Sequence, residues 1–307
     1  MFKNILFATT ASPSCDHAAR VAFDMAKRYD SELTIFHVLG VPSRGFSQFV
    51  KDVRTGETVT YDDDYLDWVK EEIKNTYAKQ LEMYENSSIE ALPGVPHTEI
   101  LRAARKKDID LIIMGSTTRE EDEGTYTYRS TAGSTLQAVT KAARCPVLII
   151  GRPVASVWGG ISNIVFGTDF SKAADSAFLF AYKVAKTLGC TLHLFHAYDI
   201  SAVHSGKIME QYEIEDNMME ARNKMRKRYV PNMKGFDDYE IEIWEGIPYV
   251  EIVKFAREKY ADLIVMAHHT RKPSPEKALL GSTVEQVVLR ATCPVASVNR
   301  PDKIKEI

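Results

Sequence analysis

Two stretches of the chain, 3-KNILFATTAS-12 and 162-SNIVFGTDFS-171, share one pattern and decide the fold. Three further matches follow in the same order: Gly94-Val95-Pro96 with Gly246-Ile247-Pro248, Asp110–Met114 with Asp262–Met266, and Cys145-Pro146-Val147 with Cys293-Pro294-Val295. Self-similarity over this length indicates a duplicated structural unit. We therefore predict two domains, a first repeat over residues 1–151 and a second over residues 162–307. The Pro- and Gly-containing stretch 152–161 reads as the linker between them.

Each repeat alternates short apolar runs with helical patterns. Apolar and polar residues do not alternate within these runs, as expected for parallel strands covered on both faces. They are Ile5–Ala8, Leu33–Val38, Leu111–Met114 and Val147–Ile150 in the first repeat, and Ile164–Gly167, Thr191–Phe195, Leu263–Met266 and Val295–Val298 in the second. This order predicts an α/β fold with two tandem doubly wound, Rossmann-like parallel sheets.

Helical spacing predicts which segments cover the sheets. After the first strand we expect a helix that Ser12 caps, and its counterpart in the second repeat should end at Gly189. Two longer amphipathic helices are predicted over Tyr65–Tyr84 and Ile208–Tyr229, the second with a methionine-rich face. Their apolar faces either pack on the sheet or bind a protein partner or an apolar ligand.

Composition excludes several classes of protein. The formal charge of −3, with 26% charged residues, leaves no excess of Lys or Arg to neutralise a nucleic acid. A run of 18 apolar residues is absent, and Lys3 and Asn4 interrupt any signal-peptide core, so we expect no membrane insertion and a cytoplasmic protein. The four cysteines show no CxxC spacing, which argues against disulfide scaffolds and structural zinc.

Ligands of an open α/β sheet bind beyond the carboxyl ends of the strands, where the strand order reverses. Three segments of each repeat are predicted to reach this place. They are the loop after the first strand (8–12 and 167–171), the loop after the fourth strand (115–133 and 267–281), and the helix start that follows it (Ser134 and Ser282).

A family resemblance becomes visible in these segments. The run Asp-Leu-Ile-Ile-Met-Gly from Asp110, the Gly-Ser-Thr from Gly133 and the Cys-Pro-Val from Cys145 resemble the universal stress protein family, and the second repeat keeps the same skeleton. The resemblance covers nearly the whole chain. It implies five parallel strands per repeat, expression under stress, and binding of ATP or AMP in some members. It also implies pairing through the last strands, here as an intrachain pseudo-dimer, with a further homodimer left open.

Nucleotide-binding members of that family resemble one another in a spaced glycine pattern: Gly, two residues, Gly, nine residues, then Gly-Ser or Gly-Thr. Glycines let backbone amides approach phosphates, and a hydroxyl at a helix N-terminus adds a donor. The first repeat keeps Gly115 and Gly133-Ser134, but has Thr118 at the second glycine and a longer loop between them. Where the family has a ribose-binding Asp after the first strand, it has Thr10.

The second repeat departs differently from the glycine pattern. It keeps Asp169 and Gly281-Ser282, but Ala267 and Thr270 replace the two early glycines. By resemblance, and with backbone groups after the second strand facing an adenine, the predicted binding residues are Ala8, Thr10, Val38, Met114, Gly115, Ser116, Thr118, Gly133, Ser134, Thr135, Asp169, Ala197, Met266, Ala267, Gly281, Ser282 and Thr283. Mg²⁺ is expected only as a companion of ATP.

Each signal also has a purely structural interpretation. The Gly-Ser pairs can be ordinary helix N-caps, and Asp169 can stabilise a turn instead of binding ribose. The acidic run Glu120–Glu123 is interpreted as a solvated lid surface, and His268-His269 as loop residues and not metal ligands. Cys145 and Cys293, each at a buried strand entry, are interpreted as inert thiols.

The sequence is compatible with three functions. The first is a stress-response protein that binds or senses an adenine nucleotide, chiefly in one repeat, with the first repeat as the better phosphate site. The second is a regulatory scaffold that has lost nucleotide binding and engages a protein or an apolar small molecule. The third, a slow ATPase, ranks last because the sequence offers no evident base to activate water. We therefore predict that the protein is not primarily an enzyme.

Overall fold

A computed structural model describes residues 1–40, 49–52, 56–60, 62–116, 119–122, 125–128, 133–152, 158–199, 210–268 and 283–304. In the first repeat the strands are β1 (Asn4–Ala8), β2 (Glu32–Val38), β3 (Phe49–Lys51), β4 (Thr58–Thr60), β5 (Ser87–Leu92), β6 (Leu111–Gly115), β7 (Arg119–Asp122), β8 (Thr125–Tyr128) and β9 (Val147–Ile150). The helices are α1 (Asp16–Tyr29), α2 (Asp63–Thr76), α3 (Ala78–Met83), α4 (Pro96–Lys106) and α5 (Ser134–Ala142).

The second repeat is built from corresponding elements. Its strands are β10 (Asn163–Gly167), β11 (Thr191–Tyr198), β12 (Tyr239–Glu245), β13 (Leu263–Met266) and β14 (Val295–Ser297). Its α-helices are α6 (Lys172–Leu188), α7 (Gln211–Tyr229), α8 (Pro248–Glu258) and α9 (Thr283–Arg290).

Ten of the described strands form one continuous sheet across both repeats. Their order is β12-β11-β10-β13-β14-β9-β6-β1-β2-β5, and every neighbouring pair is parallel except one. The exception is the antiparallel pair of β14 and β9, in which Ala296 lies opposite Leu148. The predicted pairing of the last strands is therefore confirmed, and the edge strand of each repeat is covered by the other.

Apolar side chains cover both faces of this sheet. Successive residues of a strand point to opposite faces, and the inner strands are apolar at nearly every position. On one face, Leu148 and Ala296 join a cluster that contains residues of α1 and α6. On the other face, Ile149 and Val295 join a cluster that contains residues of α4, α5, α8 and α9. Each cluster contains residues of both repeats, so the two repeats share their core.

The repeats also meet at an aromatic junction. The ring of Phe2 lies 5.4 Å from Tyr29, 6.4 Å from Trp158 and 6.4 Å from Phe180 of the second repeat, measured between centroids. Trp158 is buried and donates its indole N–H to the Tyr29 hydroxyl at 3.0 Å. This part of the predicted linker therefore packs on the first repeat.

The aspartate that opens the Asp-Leu-Ile motif has a structural role in both repeats. Asp110 Oδ2 accepts the backbone N–H groups of Lys3 at 2.8 Å and Asn4 at 3.0 Å, and so holds the start of β1. Asp262 does the same for Ser162 and Asn163 at the start of β10. Both carboxylates lie at the amino ends of the strands, opposite the predicted ligand edge.

Two predictions about helices are wrong in detail. Ser12 makes no side-chain cap to α1, which begins only at Asp16 after a 3-10 turn over Pro13–Cys15. The single helix predicted over Tyr65–Tyr84 is broken at Tyr77 into α2 and α3, because the buried Tyr77 leaves helical geometry (φ −108°, ψ 21°) where its side chain enters the core. The C-cap at Gly189 is confirmed, in the left-handed conformation (φ 68°).

The two long helices pack on the sheet. In α7, Met225 and Tyr229 are buried and Met218 contacts the same core, whereas Met219 is 61% exposed. The predicted start at Ile208 lies outside the described residues, and α7 begins at Gln211 with a capping box between Glu210 and Glu213. The acidic run of the first repeat lies partly on the antiparallel hairpin of β7 and β8.

Candidate functional site

The loop after β1 is held by a small buried polar network. The Thr9 hydroxyl lies 2.6 Å from the Tyr77 hydroxyl and accepts the Ala11 N–H at 2.9 Å. His37 donates from Nδ1 to the Thr9 carbonyl at 2.8 Å. Ala11 has a positive φ of 54°, which the network holds in place. The backbone beyond β1 is therefore fixed before any ligand arrives.

The second repeat contains the same network. The Thr168 hydroxyl lies 2.7 Å from the Tyr229 hydroxyl and accepts the Phe170 N–H at 3.0 Å. His196 donates from Nδ1 to the Thr168 carbonyl at 2.7 Å, and Phe170 has a φ of 59°. Burial lowers the pKa of His196, so its ring is neutral at pH 7.

The sequence did not predict this network. The signal that could have found it is the repetition itself. A Thr follows the first strand in both repeats, and a Tyr ends the same buried helix face in both.

We expect the buried tyrosines to make stability fall in alkali. Burial raises the pKa of Tyr77, and raises that of Tyr229 to about 12, whereas an unfolded tyrosine loses its proton near pH 10. The unfolded state therefore releases a proton first, and the free energy of unfolding drops as pH rises from about 10 to 12. Each tyrosine should contribute about 1.4 kcal/mol per pH unit to that fall.

Tyr229→Phe tests this expectation by urea denaturation at a series of pH values. The variant should lose about 1 kcal/mol at pH 8, from the missing hydrogen bond, and then decline less steeply above pH 10. Tyr260→Phe is the control, because Tyr260 is 85% exposed. An alkaline decline as steep in Tyr229→Phe as in the unaltered chain would contradict the prediction.

Thr10 and Asp169 occupy matching positions directly after Thr9 and Thr168. Thr10 Oγ1 lies 2.8 Å from Ser12 Oγ and 3.4 Å from Cys15 Sγ. Asp169 Oδ1 accepts the Ser171 N–H at 2.9 Å, so its carboxylate stabilises the turn. Both side chains are exposed at the carboxyl end of their strand. The turn role of Asp169 is thus observed, and its ribose role stays a prediction.

Three of the predicted binding residues of the first repeat have side chains on one face of the sheet. Ala8, Val38 and Met114 belong to the core cluster that also contains Leu136, in the first turn of α5. Each is only 6–7% exposed. In the second repeat, Ala197 and Met266 lie on the corresponding face. The side chains of Ala8, Val38 and Met114 form a nearly buried apolar floor at the edge where β1, β2 and β6 end.

The two glycines of the first repeat differ in what the fold requires of them. A Cβ at Gly115 would lie 3.2 Å from the Ser14 carbonyl oxygen, so a side chain there would press on the loop after β1. A Cβ at Gly133 would meet no atom of the described residues within 4 Å, and its backbone (φ −58°, ψ 145°) suits any residue. The described residues therefore give no steric reason for a glycine at position 133.

Three hydroxyl side chains follow β6 or begin α5. Ser134 is exposed and Thr135 half-buried at the start of α5, and Gly133 makes no side-chain cap there. Ser116 is 5% exposed, and its hydroxyl is buried without a hydrogen-bond partner among the described residues. The start of α5 thus offers backbone amides, and β6 is followed by a buried hydroxyl donor.

Only part of the corresponding region is described in the second repeat. Ala267 is half-buried after β13, and Thr283 begins α9. His268 is buried and donates its backbone N–H to Asn299 Oδ1 at 2.6 Å. The predicted site residues Thr118, Gly281 and Ser282, together with His269 and Thr270, lie outside the described residues.

Comparison with known proteins decides the family. The model of the universal stress protein family matches the chain twice, over residues 1–151 and 160–299. The chain belongs to the universal stress protein family. The two matches make it a tandem, two-domain member.

Single-domain relatives support this organisation. Universal stress protein MJ0531 of Methanocaldococcus jannaschii is 30% identical over 163 residues, which are 50% of this chain and 84% of the relative. Universal stress protein MJ0577 of the same organism is 34% identical over 157 residues, which are 45% of this chain and 94% of the relative. Each relative therefore corresponds to about one repeat.

Solved structures extend the likeness to the full length. A universal stress protein of Archaeoglobus fulgidus superposes with a TM-score of 0.66 at 22% identity, covering 97% of each chain. A protein of unknown function from Pseudomonas aeruginosa, PA1789, has a TM-score of 0.59 at 19% identity and covers 99% of this chain and 95% of its own. At these identities the likeness shows the shared universal stress protein fold, including the Rossmann-like sheet.

Cys145 and Cys293 of this universal stress protein precede the last strand of each repeat, at the end of the sheet opposite the candidate site. Burial raises the pKa of Cys145 and of Cys293 to about 12, so both thiols stay protonated at neutral pH, as expected for packing residues. No helix within the described ranges combines the length and the apolar character needed to span a membrane.

Proposed function

We propose that this universal stress protein binds an adenine nucleotide, ATP or AMP, chiefly in the first repeat. The observation that carries the proposal is Gly133, a glycine that no described residue crowds, at the N-terminus of a helix beside an apolar floor. A glycine leaves room for a phosphate to approach the helix amides. The floor of Ala8, Val38 and Met114 offers an adenine ring a surface of suitable polarity.

Several donors would hold the phosphates in this arrangement. The N-terminal amides of α5 carry the positive end of the helix dipole, and Ser134 adds a hydroxyl group. The buried Ser116 hydroxyl and Thr118, which lies outside the described residues, complete the predicted set with Thr135. Mg²⁺ would enter only with ATP, bound through the phosphates, and no protein ligand is proposed for it.

The second repeat is proposed as the weaker phosphate site. It lacks both early glycines, and the His268 amide is already bonded to Asn299. Its Asp169 keeps a carboxylate at the ribose position, although one oxygen accepts the Ser171 amide. Compared with a ligand in the first repeat, a ligand there would have a charged contact to its ribose and fewer contacts to its phosphates.

Binding and sensing, and not catalysis, is the role we propose for the nucleotide. Hydrolysis needs a base to activate water, and the proposed site residues of the first repeat are apolar side chains, glycines and hydroxyls. A cytoplasmic location and a stress response, which the family name suggests, belong to the same proposal. Denaturing the purified protein and analysing the released small molecules would test whether AMP or ATP accompanies it.

Thr10→Asp should tighten AMP binding to the first repeat about five- to thirtyfold. A carboxylate makes charge-assisted hydrogen bonds to ribose hydroxyls, which a Thr hydroxyl does not. The substitution suits the fold, since Asp169 occupies the matching turn of the second repeat with the same positive φ after it. Calorimetric titration with AMP measures the change.

Salt separates the ribose contact from general charge effects. The acids of the run Glu120–Glu123 repel an anion over a range that salt shortens to about 8–10 Å, whereas a direct ribose contact is little affected. Asp169→Thr is the matched control and should weaken only binding in the second repeat. If the AMP affinity of Thr10→Asp is unchanged at both low and high salt, the ribose does not contact this position.

A second candidate, a scaffold that engages a protein partner or an apolar molecule, is favoured by exposed apolar side chains. Trp68 on α2 is 49% exposed, and Tyr212 and Met219 on α7 are 64% and 61% exposed. Aromatic and methionine side chains are common at protein interfaces. Retention of nucleotide binding after Trp68→Ser, together with loss of a captured partner, would separate the two roles.

A further inference from the structure

The solvent-facing side of α7 carries its charges in two separate halves. The residues that pack this helix on the sheet recur at helical spacing and are Ile214, Ala221, Met225 and Tyr229. We call the opposite side of α7 its open face. The exposed charged residues of the open face are acids in the N-terminal half, Glu215, Asp216 and Glu220, and bases in the C-terminal half, Lys224, Arg226 and Lys227.

These six charges make no ion pair within the part of the chain that the structure describes. The ion pairs of α7 belong to two other arginines. Arg222 lies 3.4 Å from Glu242, and Arg228 lies 2.7 Å from Asp175, measured between nitrogen and oxygen. The charges of the open face are therefore not used to hold α7 on its own domain.

The stability of α7 itself does not explain why the two signs are separated. Acids at the N-terminus and bases at the C-terminus of a helix interact favourably with its dipole, but only within the first and last turns. Asp216, Glu220 and Lys224 lie between these turns. Asp216 and Glu220 are also four residues apart, a spacing at which like charges repel on a helix.

The corresponding helix of the first repeat mixes its charges instead. In α2 each of two lysines pairs with an acid three residues before it, Lys70 with Asp67 at 2.9 Å and Lys74 with Glu71 at 3.4 Å. Separated charges are thus a property of α7 and not of the repeat.

A second copy of α7 that runs antiparallel complements both halves at once. When a twofold axis passes beside Met219, residues equally far before and after it face each other. Asp216 of one copy then lies beside Lys224 of the other, and the same contact occurs again on the far side of the axis. A parallel pair would instead bring acid to acid and base to base.

The open face also supplies apolar contacts for this pairing. Met219, beside the axis, is 61% exposed, and Tyr212 is 64% exposed. A shallow groove next to the basic half is lined by Arg222, Arg226, Val230, Pro231, Tyr239 and Ile241. At about 3.6 residues per turn, Tyr212 and Arg226 lie on the same flank of the open face. The antiparallel arrangement therefore brings Tyr212 of one copy to this groove of the other, where its ring can lie against an arginine.

We propose that the open face of α7 is a homodimer interface, at which two copies of the chain pair these helices antiparallel about a twofold axis beside Met219. The proposal does not depend on nucleotide binding. A contact limited to one helix from each copy falls below the roughly 1,200 Å² of a stable interface, so we expect a weak dimer with a Kd of about 10–100 µM. Since the charges are exposed, raising the ionic strength from about 0.05 M to 0.5 M should weaken it about tenfold.

Reversal of charge on the full chain tests the proposal by sedimentation equilibrium. Lys224→Glu with Lys227→Glu makes the open face mostly acidic, and Glu215→Lys with Asp216→Lys makes it mostly basic. Each double variant alone should dimerise at least about tenfold more weakly at low salt, because like charges then face each other. An equimolar mixture of the two should regain dimers, since one variant complements the other. The chain with all four substitutions exchanges the two halves and should dimerise as well.

Lys70→Glu with Lys74→Glu is the matched control. It makes the same change in net charge on α2, and it should leave the Kd within about twofold of the unaltered chain. Circular dichroism of each variant confirms that it is folded. An unaltered chain that stays monomeric at concentrations tenfold above the expected Kd would overturn the proposal. Dimers that survive both double reversals, or folded variants that do not associate on mixing, would equally overturn it.

Discussion

Leu148→Ala should lower the free energy of unfolding by about 3 kcal/mol. Leu148 is fully buried in β9, and it lies opposite Ala296 where the two repeats join their sheets. Removing a buried leucine side chain costs its transfer free energy and leaves a cavity, and close packing between two strands limits collapse around it. Urea denaturation followed by circular dichroism measures the loss.

The same variant tests whether the repeats share one core. Hydrogen exchange should accelerate in β1 of the first repeat and in β10 of the second, since Leu148, Ile5 and Ile164 belong to one cluster. Leu188→Ala is the control, because Leu188 is partly exposed at the end of α6 and should cost less. Faster exchange confined to the first repeat would mean that the repeats fold independently.

Gly133→Val should weaken AMP and ATP binding about a hundredfold, the second large effect. A branched side chain at the N-terminus of α5 occupies the space that the proposal gives to phosphate, and the loss corresponds to about 2.7 kcal/mol. The fold itself should tolerate the change within about 1 kcal/mol, because no described atom lies within 4 Å of a Cβ there. Calorimetry and thermal melting separate the two effects.

Gly281→Val is the matched variant in the second repeat. It should cost less in total affinity, since we propose the first repeat as the stronger site. Equal losses from both substitutions, or a loss only from Gly281→Val, would reverse the proposed order of the sites.

The inner strands were predictable because parallel strands covered on both faces are continuous apolar runs. Val147–Ile150 and Leu263–Met266 agree residue for residue with the strands β9 and β13, and the other six agree to within a few residues at their ends. The antiparallel meeting of β9 and β14 followed from the family resemblance and from the need to cover two edge strands.

The outer strands were not predicted from residues. β5 and β12 lie at the two edges of the sheet, and their side chains are mostly half-buried, so Tyr239–Glu245 alternates apolar and acidic residues instead of forming an apolar run. The family resemblance supplied their number but not their position. The break at Tyr77 was also missed, because helical spacing continues through it while its hydroxyl is drawn to Thr9.

The candidate site was predictable in its local parts and not in its long-range contacts. Gly115, Gly133 and Thr10 could be placed because strand ends and a helix start fix them. The bond from Tyr77 to Thr9 and that from Asn299 to Thr140 join residues 68 and 159 positions apart, and spacing along one chain does not reveal such pairs. The tertiary fold creates them.

Adenine nucleotide content and binding of the purified chain test the central claim most directly. One sample of the protein would be denatured and the released nucleotides identified by mass. A second sample, freed of bound nucleotide, would be titrated with AMP and ATP by calorimetry. We predict AMP or ATP in the released fraction, or a saturable binding heat near one strong site per chain that Gly133→Val weakens about a hundredfold without loss of folding. Neither nucleotide released and no binding heat from either would contradict the account and favour the scaffold.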